Sequence, residues 1–110
     1  ELLAGLPGIT VVEPKKSTMF LPNYWLTTIK VDSNETSFSA SQLMQHLAKA
    51  DIETRPLWKP LHLQPVFSSS PTYVNGVSEA LFNCGLCLPS GSMMTCEDVM
   101  RVADAIRSMR

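Results

Sequence analysis

Ile52-Glu53-Thr54-Arg55-Pro56-Leu57-Trp58-Lys59-Pro60-Leu61-His62-Leu63-Gln64-Pro65-Val66-Phe67 is the stretch around which the chain is organised. It opens like a short strand and then loses periodicity. Proline fixes φ at Pro56, Pro60 and Pro65 and biases each preceding residue towards extended conformations. A stiff, extended connection is predicted, with its polar groups held in place. An arginine, an indole, a lysine and an imidazole on such a loop suit one wall of a site. The plainer alternative is that Trp58, Leu61 and Leu63 fill a core edge while Arg55 and Lys59 are solvated.

Before this stretch, Ile9 to Glu13 is a short β-rich run ended by Pro14, and a polar loop follows around Lys15-Lys16-Ser17-Thr18. Asn23 to Val31 reads as the clearest strand. Trp25, Thr27, Ile29 and Val31 share one face; Tyr24, Leu26, Thr28 and Lys30 share the other. An aromatic pair opening a strand suggests core, with a ring or Asn23 facing a ligand as the alternative. Asp32-Ser33-Asn34 makes a turn. Ser39-x-x-Gln42 fits a capping box, and Leu43, Leu47 and Ala50 follow at helical spacing. His46, mid-helix, is given no role.

After the stretch, Ser68-Ser69-Ser70-Pro71 has loop composition. Ser78 is read as the cap of a short helix over Glu79 to Asn83, stopped at Gly85. Leu86-Cys87-Leu88 is a brief strand ended by Pro89-Ser90-Gly91. Thr95-x-x-Asp98 starts a last helix that places Val99, Val102, Ala103 and Ile106 on one face, with Arg107 and Arg110 at its C-terminal end. The order β, β, α, β, loop, α, β, α predicts an α+β domain: a small, mostly antiparallel sheet with helices packed on one face.

Composition narrows the function. The chain has 110 residues, suited to a single domain over 1–110. Hydrophobic residues make up 45% and charged residues 17%, enough for a packed core. A net charge of −1, with no basic cluster beyond Lys15-Lys16, argues against nucleic acid as partner. No apolar run is long enough for a transmembrane helix, and the apolar start lacks the basic region of a signal peptide. Glu1-Leu2-Leu3-Ala4 reads like the end of a helix stopped by Gly5 and Pro7, which suggests a piece of a longer protein. Cys84, Cys87 and Cys96 are odd in number and suit a reducing cytoplasm.

Chemical motifs are sparse. Cys84-Gly85-Leu86-Cys87 puts its first thiol at a helix C-terminus, the wrong end for lowering a thiol pKa. Four zinc ligands cannot be assembled locally. Pro89-Ser90-Gly91-Ser92 lacks the lysine of a phosphate loop and reads as a turn. No nucleophile elbow accompanies His62, and none of the five lysines is an evident Schiff-base candidate.

Three segments together carry a resemblance. Asn23-Tyr24-Trp25-Leu26-Thr27-Thr28, the segment Glu53 to Pro65, and Gly76-Val77-Ser78-Glu79-x-Leu81-Phe82-x-x-Gly85-Leu86-Cys87-Leu88-Pro89-Ser90-Gly91-Ser92 resemble the C-terminal part of the DegT/StrS-type nucleotide-sugar aminotransferases. The Arg-Pro-x-Trp-Lys-Pro-x-His form is most similar to the branch acting on UDP-linked 4-keto-6-deoxy acetamido sugars, as in bacillosamine synthesis.

The resemblance implies a pyridoxal 5'-phosphate enzyme of fold type I. Glutamate would give its amino group to C4 of a nucleotide-linked ketosugar, for cell-surface polysaccharide or glycan precursors. A large N-terminal domain would hold the cofactor, and these 110 residues would be the small domain closing over it, inactive alone, in a protein that forms a homodimer. Carried over by position, His62 faces the active site, Arg55 can meet a carboxylate or diphosphate, Trp58 can stack on sugar or base, and Asn23 and Trp25 can line the same cleft. No catalytic, cofactor-holding or metal-binding residue is assigned within the chain. The reading from a different class is a stand-alone binding or regulatory module of the same fold.

Overall fold

The computed structural model describes residues 2–13, 19 and 21–109. Pro14 and the polar loop at Lys15 to Thr18 lie outside the described residues, as does Arg110. The strands are β1 (Ile9–Val11), β2 (Thr27–Val31), β3 (Arg55–Pro56) and β4 (Gly85–Leu88). They form one sheet in the order β1-β2-β4-β3, and every pairing is antiparallel. The helices are α1 (Ala40–Lys49), α2 (Val77–Cys84) and α3 (Cys96–Arg107).

Register decides the faces. Ile29 pairs with Val11 and with Leu86, and Val31 pairs with Ile9, so these side chains share one side of the pleat. There they meet Leu43 and Leu47 of α1 and Val102, Ala103 and Ile106 of α3 in a single core. Ile29, Leu43 and Leu47 are wholly buried. The expected α+β sheet with helices on one face is therefore present in α1 and α3. His46 helps to join them: its Nε2 lies 3.0 Å from the Ala105 carbonyl oxygen and 3.0 Å from Ser108 Oγ. On the other side of β4, Leu57 lies over Gly85, where a Cβ would fall 2.2 Å from Leu57 Cδ1.

Helix starts follow local chemistry. Ser39 and Gln42 form a full capping box, as do Thr95 and Asp98. In the second box the Thr95 backbone N–H and hydroxyl donate to Asp98, holding its carboxyl below the ordinary value of 3.8. A carboxylate with a lowered folded-state pKa stabilises the fold above its unfolded pKa and loses that contribution as pH falls through the folded value. Asp98→Ala should therefore lower the urea midpoint at neutral pH, and the gap from the parent should close in acid. A gap of constant size down to pH about 2 would remove the charge from this account.

Several boundaries depart from the sequence reading. α2 begins at Val77 rather than Glu79, and Ser78 is inside it. Its N-cap is Gly76 at φ 80°, and the Asn75 side-chain oxygen accepts from the Val77 N–H at 3.2 Å. β2 begins at Thr27, not Asn23. The proline stretch is not extended throughout: Leu61–Leu63 and Pro65–Phe67 are 3₁₀ turns. The fixed φ of proline suits the first residue of a helical turn as well as it suits extended chain.

Candidate functional site

The site is built where β2 begins and β3 ends. The Asn23 side-chain oxygen accepts from the Trp25 N–H at 3.2 Å, and Tyr24 takes a left-handed φ of 49°. This local turn keeps residues 23–26 out of the ladder. Tyr24 and Trp25 are consequently 76% and 66% exposed, not the core pair that alternation suggested. Trp58, from the proline stretch, is 65% exposed. Its ring lies against Trp25, with centroids 5.8 Å apart and planes tilted by 44°.

Trp58 and Arg55 also line a hollow of about 830 Å³, together with Thr54, Ser90 and, from α3, Asp98 and Arg101. Ser90 closes the end of the sheet by accepting from the Thr27 N–H at 2.8 Å and donating to the Leu88 carbonyl at 2.9 Å. Thr54 is buried, and its hydroxyl has no partner among the described residues. The guanidiniums are already engaged. Arg55 Nε and Nη2 both donate to Glu53, and Arg101 Nη2 donates to the Ala50 carbonyl. Three carboxylates, from Asp51, Glu53 and Asp98, face these two cations around the hollow.

His62 does not share this hollow. It lines a smaller one of about 260 Å³ with Leu61, Phe67 and Tyr73. Its Nε2 stands 3.7 Å from Glu79 Oε2 on α2, within ion-pair range but beyond a hydrogen bond. The structure thus joins Arg55, Trp58 and, through its ring, Trp25. It commits the Asn23 side chain to the backbone and sets His62 apart within the 3₁₀ turn Leu61–Leu63. Thr54 and Glu79 were not singled out from sequence. A buried lone hydroxyl and a partner 17 positions away along the chain leave no periodic signal.

Burial raises the Cys87 thiol pKa, while Cys84 ends α2 and Cys96 is exposed. Among the described residues no group of three His, Cys, Asp or Glu side chains can hold a metal ion. No helix among them is long and apolar enough to cross a membrane. The described residues do not fit pyridoxal phosphate, which needs an amine in an enclosed site. Lys49 and Lys59 are exposed, Lys30 is half-buried, and none of the three lines the hollows above or the groove beside Val99.

Comparison with known proteins places the chain. EpsN of Bacillus subtilis, an inferred pyridoxal phosphate-dependent aminotransferase, is 42% identical over 98 residues, which cover 79% of this chain and 24% of EpsN. GDP-perosamine synthase of Escherichia coli O157:H7 is 30% identical over 92 residues, 84% of this chain and 24% of that protein. Among solved structures, DesI in the presence of its TDP-sugar product superposes with a TM-score of 0.82 at 28% identity, covering 97% of this chain and 27% of DesI. DesV of S. venezuelae, in complex with a ketimine intermediate, gives a TM-score of 0.77 at 27% identity, covering 97% of this chain and 28% of DesV. The chain therefore spans about a quarter of the length of these relatives. The model of the DegT/DnrJ/EryC1/StrS aminotransferase family matches residues 1–107, and the chain belongs to that family.

Proposed function

We propose that these residues form the small domain of a pyridoxal phosphate-dependent sugar aminotransferase. It would carry an amino group from glutamate to C4 of a nucleotide-linked keto-deoxysugar in the cytoplasm, for surface glycan precursors. The observation that carries the reading is the family match over nearly the whole chain. Relatives named GDP-perosamine synthase and a neighbour solved with a TDP-sugar product both concern nucleotide sugars. Among the described residues no lysine lines the hollows, which is why the cofactor is assigned to another part of a longer polypeptide, one that pairs into a homodimer. Such an enzyme leaves the electron-sink chemistry to its cofactor. The part left for this chain is positioning: a rigid edge carrying Arg55, Trp58 and Trp25 beside a hollow, with His62 on the adjoining turn.

The test uses the polypeptide encoded by the whole reading frame containing these residues. With glutamate and a panel of UDP-, TDP- and GDP-linked 4-keto-6-deoxysugars, one member should yield the amino sugar and 2-oxoglutarate. The 110-residue chain alone, mixed with the cofactor, should show no aldimine absorbance. A reading frame that opens just before Glu1, with no turnover from any panel member, would leave the binding-module alternative standing. His62→Ala should lower kcat/KM roughly 10- to 100-fold, the size of one hydrogen bond to a charged group. Unchanged turnover would remove His62 from the site.

A further inference from the structure

Trp25 and Trp58 form an unusual feature for a chain with only two tryptophans. Both residues are about two-thirds exposed, yet their rings touch each other, and Trp58 lines the larger hollow. Exposing two large rings forgoes the burial they would normally gain. Their geometry limits what they can hold. Centroids 5.8 Å apart leave too little room for a flat ring to slide between two indoles, which takes about twice the 3.5 Å contact distance between carbons. A tilt of 44° makes a corner instead of a slot. A planar base can lie on only one wall of that corner. A chair-shaped pyranose can touch both, with the C–H bonds of one face against one ring and its C6 group against the other. Those C–H hydrogens are weakly positive, and an indole face is negative.

The charges around the hollow point the same way. Arg55 is bound to Glu53, and Arg101 is bound to a backbone carbonyl. Glu53 and Asp98 are engaged as well, by Arg55 and by the Thr95 cap, but the lining still sets three negative charges against two positive ones and is poorly suited to a diphosphate. It suits hydroxyl groups, since carboxylates accept hydrogen bonds from them. We infer that the Trp25–Trp58 corner is the subsite for the hexose ring of the substrate, and that it holds the uncharged sugar rather than the nucleotide. This rests on the reading that the substrate is a nucleotide-linked deoxysugar, and it adds which part of that substrate the two indoles take.

The test exploits the composition. Because the corner contains both tryptophans, all indole emission of the 110-residue chain reports on it. D-fucose, a 6-deoxyhexose, should shift that emission saturably. In saturation-transfer NMR its C6 methyl and the protons of one ring face should receive magnetisation from the protein. Trp58→Ala and Trp25→Ala should abolish the transfer, and Trp58→Phe should keep most of it. Circular dichroism should show all three variants folded, since neither indole is part of the core. An emission unmoved by D-fucose, or transfer unchanged in Trp58→Ala, overturns the inference. So does UDP, TDP or GDP whose base protons take the magnetisation and displace the sugar.

In the whole polypeptide, Trp58→Ala should raise KM for the nucleotide sugar about tenfold, on the scale of one aromatic contact, and leave KM for glutamate unchanged. Absence of transamination alongside an intact sugar response would count against the aminotransferase reading alone. Transamination with an unaltered KM in Trp58→Ala would count against the corner alone.

Discussion

Gly8→Ala is expected to cost about 2–4 kcal/mol of stability, combining a left-handed backbone penalty with an overpacking penalty. Gly8 precedes β1 with φ at 70°. A Cβ there would lie 2.5 Å from Thr36 Cγ2 and 3.0 Å from both the Asp32 carbonyl oxygen and the Thr36 nitrogen. Two of these three atoms are backbone, so the loop cannot simply turn a side chain aside. The same residue donates its N–H to Glu35 Oε2 at 2.9 Å, while its carbonyl accepts from the Asp32 N–H at 2.8 Å. Displacing it disturbs the β1–β2 register as well as the turn. Urea denaturation followed by circular dichroism measures the loss. A midpoint within experimental error of the parent would show that the loop at residues 32–36 yields far more easily than its packing suggests. Gly5→Ala is the matched control. Its φ is also positive, at 78°, but no heavy atom would meet the new Cβ. Only the backbone penalty of about 1–2 kcal/mol applies there.

Leu47→Ala is expected to cost about 3–5 kcal/mol, from lost transfer energy plus a cavity that cannot collapse. Leu47 is fully buried in the layer between the sheet and α3, and its carbonyl accepts from the N–H groups of both Ala50 and Ile52. These bonds tie the end of α1 to the chain leaving it, so the backbone there is not free to close on the hole. For a domain of this size such a loss is a large fraction of the total stability. Leu47→Met, nearly equal in volume, should cost less than about 1.5 kcal/mol. Val99→Ala, on the same apolar pattern but 44% exposed, should cost less than about 1 kcal/mol. If Val99→Ala matched Leu47→Ala in calorimetry, the assignment of the core would be wrong.

That contrast shows what the sequence could and could not reveal. α1 and α3 were legible because their signals are local: two capping boxes and an apolar stripe at helical spacing. Val99 belongs to the stripe, but it sits at the first turn of α3, beside an open groove shared with Leu2 and Leu3 rather than beneath the sheet. Periodicity gives a direction around the helix axis and says nothing of where the neighbouring layer stops. Asn23 to Leu26 alternated well enough to pass for strand. The side chain of Asn23 competes for the Trp25 N–H, and such local bonds displace ladder bonds without altering the pattern of hydrophobicity.

The site divides in the same manner. Arg55 and Trp58 were expected on one wall and do line one hollow. His62 was grouped with them by closeness in sequence and by resemblance to the family. Between Trp58 and His62 the chain passes Pro60 and enters a 3₁₀ turn, which carries the imidazole to a different hollow beside α2. Three prolines told of stiffness but not of direction, because their fixed torsion is common to extended and helical-turn geometry. Trp25 was assigned to the cleft by resemblance, and its contact with Trp58 unites two segments 33 positions apart. Nothing in either segment alone announces that meeting.

The strand order bears on how the domain comes into being. β4, last of the strands to be synthesised, lies between β2 and β3, so neither earlier strand has its inner neighbour until Leu88 has emerged. A nascent chain carrying β1 and β2 holds a two-stranded ribbon, which is marginal in water. Assembly must then wait for a late, distant segment to insert, and such non-local closure is slow. During that interval the inner edge of β2 stays open to pairing with strands of other chains, until β4 fills it.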